Sequence, residues 1–366
     1  MSLATVLPED RLDILYHSFD GGGVTIDGPS VLVRKEFADT VSVYANYYAD
    51  YVSSASIDVE VSGASRYAEE RTEYSVGAEY LHDRTIMNVS YTNSSENDYD
   101  AETFAVGVSQ DFFGDLTTLS MGFSLGQDDV GNNTDETFAE EAEHRRYSIG
   151  LSQVLTKNWI ASIGLETVAD EGFLQNPYRF VRFLVPFSAT PFGTEAENYP
   201  ETRNSDAVAL RTIYYLPYRA ALRGEYRNYN DNWGIEADNF EIRYTHPLKS
   251  NWMLEAKLRF YKQTKADFYS DLFEFRNAQE FRARDKELST YTNRTFGLGV
   301  TYQLKADFLS AFEKSTVNLY WDHMQFDYDD FRDARVSLND PTVNAGEEPL
   351  YSFDADVIRL YFSFWY

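Results

Sequence analysis

Three groups of residues in this chain have types and spacing that could do chemistry. Gly122-Phe-Ser-Leu-Gly126 matches G-x-S-x-G, the pattern that sets a serine nucleophile on a hydrolase elbow. That elbow needs a sharp turn from strand into helix, whereas Ser124 sits inside a run of strict alternation, on its small polar side. No catalytic residue is expected there. Asp20-Gly-Gly-Gly23 resembles a phosphate cradle, but no helix pattern follows and no Lys-Ser/Thr pair closes it, so a turn is expected. The five histidines, His17, His82, His144, His246 and His323, are scattered, with no i, i+4 pair and no neighbouring ligand at metal spacing. The reading assigns no metal ligand, no cofactor and no enzymatic activity.

The element that holds Ser124 explains why. In the stretch 101–126, Phe104, Val106 and Val108 alternate with Ala105, Gly107 and Ser109. After the joint 111–115, Leu119, Met121, Phe123 and Leu125 alternate with Ser120, Gly122, Ser124 and Gly126. Period two means strands, here a hairpin with one greasy face and one small, polar face. The pattern recurs through the chain with no helix pattern to cover the greasy face. A closed barrel in lipid resolves this: hydrocarbon takes the apolar rows, closure pairs the backbone, and aromatic rings mark the interfaces.

Composition agrees. The 366 residues include 28 Tyr and 26 Phe, yet mean hydropathy is only -0.46, as expected of strands half in lipid and half wet. The absence of cysteine excludes disulfides, thiolate metal sites and covalent c-type haem. A net charge of -27 argues against nucleic acid, which needs clustered Lys and Arg. Much of the acid falls in 96–102 and 128–143, expected to be solvated loops, with weakly held divalent cations as the alternative. No run of ~18 apolar residues offers a membrane helix. No secretory signal opens the chain at Met1; the expectation is a mature chain whose targeting peptide has been removed.

Taken in order, the strands expected are 11–19, 30–37 after a loop from Asp20 to Pro29, 41–51, 74–81, 85–91, the hairpin above, 146–155 and 159–168. A long loop, 170–204, precedes 207–216, the turn Pro217-Tyr218 and 219–229. Then come 240–245, the joint 246–251, 252–261, a long loop 270–289, 295–304, 317–326 and 357–366. Short joints alternate with long ones, as in outer-membrane barrels with short periplasmic turns and long extracellular loops. The expected fold is an all-β, transmembrane, antiparallel up-and-down barrel of about sixteen strands over residues 11–366, with 1–10 as a periplasmic segment.

The segments DGGGVTIDGPSVLVRKEF, SSASIDV, SQDFFGDLTTLSMGFS, LTKNW, GFLQNPYRFVRF and RARDKELSTY resemble the Gram-negative family catalogued as domain of unknown function 3570. The resemblance covers nearly the whole chain and implies a barrel in the outer membrane of the cell. It assigns no activity. It further implies genetic neighbours that include small lipoproteins, thioredoxin-like proteins and a flavin transferase, which points to an envelope assembly.

The inward face carries the functional expectation. With apolar rows outward, the first half of the chain points Ser75, Gly77, Ala105, Gly107, Ser109, Ser120, Gly122, Ser124, Ser148, Gly150, Ser152, Ser162 and Gly164 into the lumen. The second half points Arg211, Tyr215, Arg219, Arg223, Arg227, Arg243, Arg259 and Tyr261 inward, among carboxylates such as Glu225, Glu241, Glu255 and Asp322. Either the long side chains cross the lumen and fill it, or the smooth wall leaves room for a polypeptide gripped by Arg and Tyr. The loops 170–204 and 270–289 are the natural inserts or docks, with Asn176, Pro177, Tyr178, Arg179, Arg182, Arg282, Arg284 and Asp285 as their candidate residues. The expected role is a membrane scaffold or conduit of an envelope complex, in contact with lipid and with a small lipoprotein or other envelope protein. The alternatives are an anion-favouring porin and a sheath around a redox partner.

Overall fold

The structure, a computed structural model, describes residues 6–54, 57, 61, 67–186, 190–248, 251–305 and 309–366. Alternating side chains build β1 (Arg11–Gly21), β2 (Val24–Phe37), β3 (Val41–Ser54), β4 (Tyr67–His82), β5 (Thr85–Ser95), β6 (Tyr99–Phe112), β7 (Thr117–Val130), β8 (Glu140–Thr156) and β9 (Trp159–Gly172). A small separate hairpin follows, β10 (Phe180–Phe183) with β11 (Gly193–Ala196). Then come β12 (Thr202–Tyr215), β13 (Ala221–Asp231), β14 (Glu236–Pro247), β15 (Trp252–Gln263), β16 (Tyr291–Gln303), β17 (Lys314–Arg332) and β18 (Leu350–Trp365). All but β10 and β11 join one closed antiparallel barrel of sixteen strands, sealed where β1 pairs with β18. The all-β barrel expected from the alternation is the fold observed.

Sixteen strands put both ends of the chain at the same mouth, here called the terminal end, beside joints such as 38–40, 83–84 and 113–116. The opposite mouth is the loop end. Outward rows are apolar and bare: Phe104, Val106, Met121, Ile149, Leu165, Leu210, Phe260 and Leu360 are all exposed. In water such a surface would be an aggregation hazard; around a barrel it is what hydrocarbon covers. Phe37, Phe112, Trp159, Trp252 and Tyr366 ring the terminal end, while Tyr16, Tyr74, Tyr91 and Tyr226 form a second girdle farther along.

Several boundaries differ from expectation for one physical reason. A strand that crosses a bilayer needs only about ten residues, but β8 has 17 and β17 has 19. The surplus rises past the hydrocarbon at the loop end, where the outward face turns acidic at Asp20, Glu70, Asp100, Glu102, Asp129 and Glu141. The apolar alternation stops there while backbone pairing continues. The expected acidic loop 96–102 is therefore a turn at 96–98, since Asp100 and Glu102 already lie in β6. Likewise 128–143 shrinks to 131–139.

The expected loop from Asp20 to Pro29 is a two-residue turn. Gly22 and Gly23 sit at φ of 60° and 81°, the left-handed pair that a tight hairpin demands. Pro29 lies within β2, and at Gly28 a Cβ would come 1.8 Å from the carbonyl oxygen of Ala49. The polar loop expected from 52 to about Glu70, of which β3 takes the start and β4 the end, and the joint 246–251 lie partly outside the described residues.

Candidate functional site

The pleat puts alternate residues of every strand into the lumen, and the register shows which ones. Along β4 to β9 the inward row pairs Gly77 with Ser90, Ala105 with Ser124, Gly107 with Gly122, Gly150 with Gly164 and Ser152 with Ser162. Ser120 and Ser148 face inward and are exposed, so open space lies against this wall. Ser124 is one more residue of it, mid-strand in β7 and opposite Ala105, without the strand-to-helix turn that a nucleophile elbow requires.

The opposite wall, β12 through β18, carries the long polar side chains. Its ion pairs run along the wall: Arg211 Nε to Glu225 at 2.6 Å, Arg243 to Glu241 at 2.9 Å and to Glu255 at 3.2 Å, and Lys257 Nζ and Arg359 Nη2 to Asp322 at 2.7 and 2.6 Å. Arg227 reaches Glu166 on β9 at 2.7 Å, which Arg146 also holds. These pairs lie within one strand or join neighbouring or next-neighbouring strands, so none of these long side chains crosses the lumen. Arg259 donates from Nε to Asn239 Oδ1 at 2.5 Å and lies over the Tyr261 ring, 5.6 Å from its centroid. Tyr261 donates its hydroxyl to Gln263 Oε1 at 2.7 Å. Arg223 faces inward, is exposed and has no ion-pair partner among the described residues. Tyr215 ends β12 at the terminal mouth. Arg219 departs from expectation: β13 starts at Ala221, and Arg219 sits in the preceding turn at φ 70°.

At the loop end, three loops, 173–201, 264–290 and 333–349, fold together into a cap. Backbone bonds tie the first two: Leu184 N–H to Phe273 O at 2.9 Å, Phe273 N–H to Arg182 O at 2.9 Å, and Asn198 with Arg282 reciprocally at 3.0 and 2.8 Å. Under them lies an aromatic core in which Tyr199, Trp233 and Phe268 meet with ring centroids 5.2–5.6 Å apart, joined by Tyr269, Leu288, Tyr328, Phe331 and Tyr351. Burying such rings is the main force ordering the loops.

A polar network pins this core. Arg182, 1% exposed, forms ion pairs with Asp271 and with the fully buried Glu348 of the third loop. Burial works against the Glu348 carboxylate, but hydrogen bonds from Arg182 and Ser337 win and hold its pKa below the usual value. Arg284 donates Nε–H to Asp271 Oδ1 at 3.1 Å and lies 4.4 Å over the Phe331 ring. Arg179 pairs with Asp285, and Arg282 Nε stands 3.4 Å from Glu195.

Asn176 Oδ1 accepts the Tyr178 N–H at 2.9 Å, closing a turn around Pro177. That turn aims the Tyr178 hydroxyl across the mouth, where it donates to Asp98 after β5 and accepts the Asn133 N–H at 2.6 Å. Burial, then the bond to Asp98, pushes Tyr178 up to about 12. Glu197 is buried between two loops. Its carboxylate accepts the Tyr199 hydroxyl at 2.6 Å and the Arg284 N–H at 2.6 Å. Desolvation, followed by nearby Asp285, nevertheless raises its pKa from 4.5 to about 7.

All eight loop residues singled out by sequence thus meet in the cap, while the lumen residues other than Arg219 share the charged wall. Sequence reasoning named the wall carboxylates Glu225, Glu241, Glu255 and Asp322 but missed Glu166 and the partners in the cap. Arg146 and Glu166 share the inward parity of Ser148 and Gly164, a signal that was present. His144, one of the five scattered histidines, faces the lumen between Asp128 at 3.0 Å and Asp170 at 2.7 Å. Glu348 and Asp271 carry no local signal at all. Among the described residues no cluster of three or more His, Cys, Asp or Glu is arranged to hold a metal ion.

A closed, lipid-faced cylinder with a lumen lined by polar side chains is the architecture of an outer-membrane β-barrel. This chain belongs to the family described as protein of unknown function (DUF3570), which matches it over residues 63–322. No curated protein matches the sequence. Among solved structures, a bacterial polysaccharide outer membrane secretin is similar at TM-score 0.51 and 7% identity, with 100% of each chain covered. CdiB from Acinetobacter baumannii is similar at TM-score 0.50 and 8% identity, over 97% of this chain and 60% of that one. The siderophore receptor PirA from Pseudomonas aeruginosa aligns at TM-score 0.47 and 11% identity, over 89% of this chain, which spans 60% of the receptor. At these identities the likeness shows the fold alone.

Proposed function

We propose that this protein is the conduit of a cell-envelope assembly in the outer membrane, covered at the loop end by its own cap and open from the terminal end to a partner polypeptide such as a small lipoprotein. The observation that carries this reading is the cap itself. Ordering three long loops costs conformational entropy, and the buried Arg182–Glu348–Asp271 network with its aromatic core holds them in one arrangement over the lumen. Below it, the small wall of β4 to β9 leaves room for a chain to lie beside the Arg and Tyr wall. The protein supplies position and passage, and no catalytic group.

Planar-bilayer recording tests the closure. The isolated barrel is expected to show almost no steady conductance, and a large steady conductance would overturn it. Gentle detergent extraction at native expression, followed by mass spectrometry, tests the partner, and recovery of the chain alone would count against it. A second reading, an anion-favouring channel, draws on Arg223, which no carboxylate among the described residues neutralises. It requires an anion-selective reversal potential that disappears in Arg223→Gln.

A further inference from the structure

We infer that the lumen contains, directly beneath the cap, a binding site for a small ring compound that carries one carboxylate. The site is a cavity of about 1060 Å³ bounded above by Leu288 and Trp233 and on its sides by strands β12 to β18 and the β1–β2 hairpin. Ligand pockets for small molecules range over roughly 300–1,000 Å³, so a single ring with substituents enters with room to spare.

Two walls of this cavity differ in chemistry. One is a continuous set of aromatic rings from the four adjacent strands β15 to β18: Tyr261, Tyr291, Phe326, Tyr328 and Phe353. Their centroids step at 5.5 Å from Tyr261 to Tyr291, 5.3 Å on to Tyr328, and 4.6 Å from Phe326 to Phe353. These rings are not all sealed away. Tyr261, Tyr291, Phe326 and Phe353 remain half-buried, which leaves ring surface facing the cavity. Ring faces of this kind take the flat side of another ring, aromatic or sugar.

The second wall supplies charge, and most of it is already engaged: Asp285 pairs with Arg179, and Lys286 and Glu287 also have partners. Arg227 is held by Glu166, Lys257 by Asp322 and Arg203 by Asp231, at 2.7, 2.7 and 2.6 Å. Glu225 and Glu241, which also line the cavity, are taken by Arg211 and Arg243. Arg259 is different. Among the described residues no carboxylate lies within ion-pair distance of it, and its hydrogen bond goes to the neutral amide of Asn239. Among the described residues Arg259 is thus the cavity-lining guanidinium without an ion pair, and it is stacked on Tyr261 at the foot of the aromatic wall. A guanidinium fork matches a carboxylate bidentately, and one guanidinium without an ion pair asks for a single carboxylate beside the ring. The chemistry is shared by aromatic acids and by uronic acids, which differ in the ring alone.

Calorimetry on the full chain in detergent micelles separates them, with benzoate, glucuronate and benzyl alcohol as probes. One of the two acids is expected to bind saturably, one per barrel, and which one does so tells an aromatic ring from a sugar ring. Benzyl alcohol, lacking the charge, and the variant Arg259→Gln are each expected to weaken binding by about tenfold or more, the size of a charge-assisted pair lost. Tyr261→Leu, which leaves the charge in place, is expected to weaken it as well, and Arg223→Gln to leave it unchanged. The inference is overturned if neither acid binds saturably, if benzyl alcohol binds as well as the acid, if Tyr261→Leu binds unchanged, or if Arg223→Gln weakens binding as much as Arg259→Gln. The readout is binding, so it stands apart from the conductance and partner tests.

Discussion

Raising the pH from about 5 to about 8 is expected to loosen the contact that Glu197 makes between two loops of the cap. In the docked cap this carboxyl is 4% exposed, and desolvation, then Asp285, lifts its pKa from 4.5 to about 7 against the opposing hydrogen bonds of Tyr199 and Arg284 and the charge of Arg179. A carboxyl whose pKa is higher docked than undocked favours docking when it is protonated. Its contribution is complete below about 4.5, falls as the pH rises, and is gone above about 7. The interval of roughly two and a half units is worth about 3 kcal/mol, or on the order of a hundredfold or more in the opening equilibrium of these loops. Hydrogen–deuterium exchange of peptides covering 194–204 and 279–290 reads that equilibrium, with Glu197→Gln compared at each pH to remove the intrinsic rate. The amide keeps an acceptor for the Arg284 N–H but cannot ionise, so the variant should hold its protection at pH 8 where the native chain loses it. Equal loss of protection in both proteins would refute the assignment of the titration to Glu197, and a native cap that tightens with rising pH would refute its direction.

Three further outcomes follow from contacts already described. Arg182→Met strands Glu348 in the cap without its cation and leaves Asp271 to Arg284 alone, a loss of about 3–5 kcal/mol for a buried pair; limited proteolysis should cut the loops while the barrel still runs as a compact, heat-modifiable band. Gly28→Val is expected to prevent barrel assembly, because its Cβ would sit 1.8 Å from the Ala49 carbonyl oxygen, and loss of heat-modifiability on gels checks it. Ser124→Ala should leave any lipase or esterase activity of a preparation unchanged, since Ser124 belongs to a strand wall.

The barrel was legible because its signal is local and repeated. Phe104, Val106 and Val108 against Ala105, Gly107 and Ser109 already determine which face meets lipid, and the observed register of β6 with β7 keeps that division. Strand ends were less legible, since at Asp100, Glu102 and Glu141 the outward face leaves hydrocarbon and its composition stops reporting on the backbone. The gathering of loop residues was legible in kind, from Arg and aromatics concentrated at 173–183 and 281–285. Their partners were not: Arg182 and Glu348 are separated by 166 positions, and no periodicity links residues that meet only after three loops have folded over one mouth.

The asymmetry of the lumen bears on how this wide cylinder stays open below its cap. A barrel of about sixteen strands encloses more space than side chains can fill, and filling it would require the long residues of β12 to β18 to cross to the small wall. Their partners prevent this. Arg211 is turned toward Glu225, Arg243 toward Glu241 and Glu255, and Arg359 and Lys257 toward Asp322, each along the wall. Arg227 goes farthest, and it stops at Glu166, where the small wall begins. Each carboxylate therefore acts as a tether that keeps a long cation flat, and removing one frees a cation to swing inward. Glu225→Gln makes this testable: Arg211, 45% exposed already, loses its anchor at modest cost to stability, as expected of a solvent-reached pair. If the tethers keep the lumen clear, the released guanidinium should narrow the passage in a barrel whose cap has been opened by Arg182→Met, seen as a smaller single-channel conductance. An unchanged conductance would mean that the charged wall is held back by something other than its carboxylates.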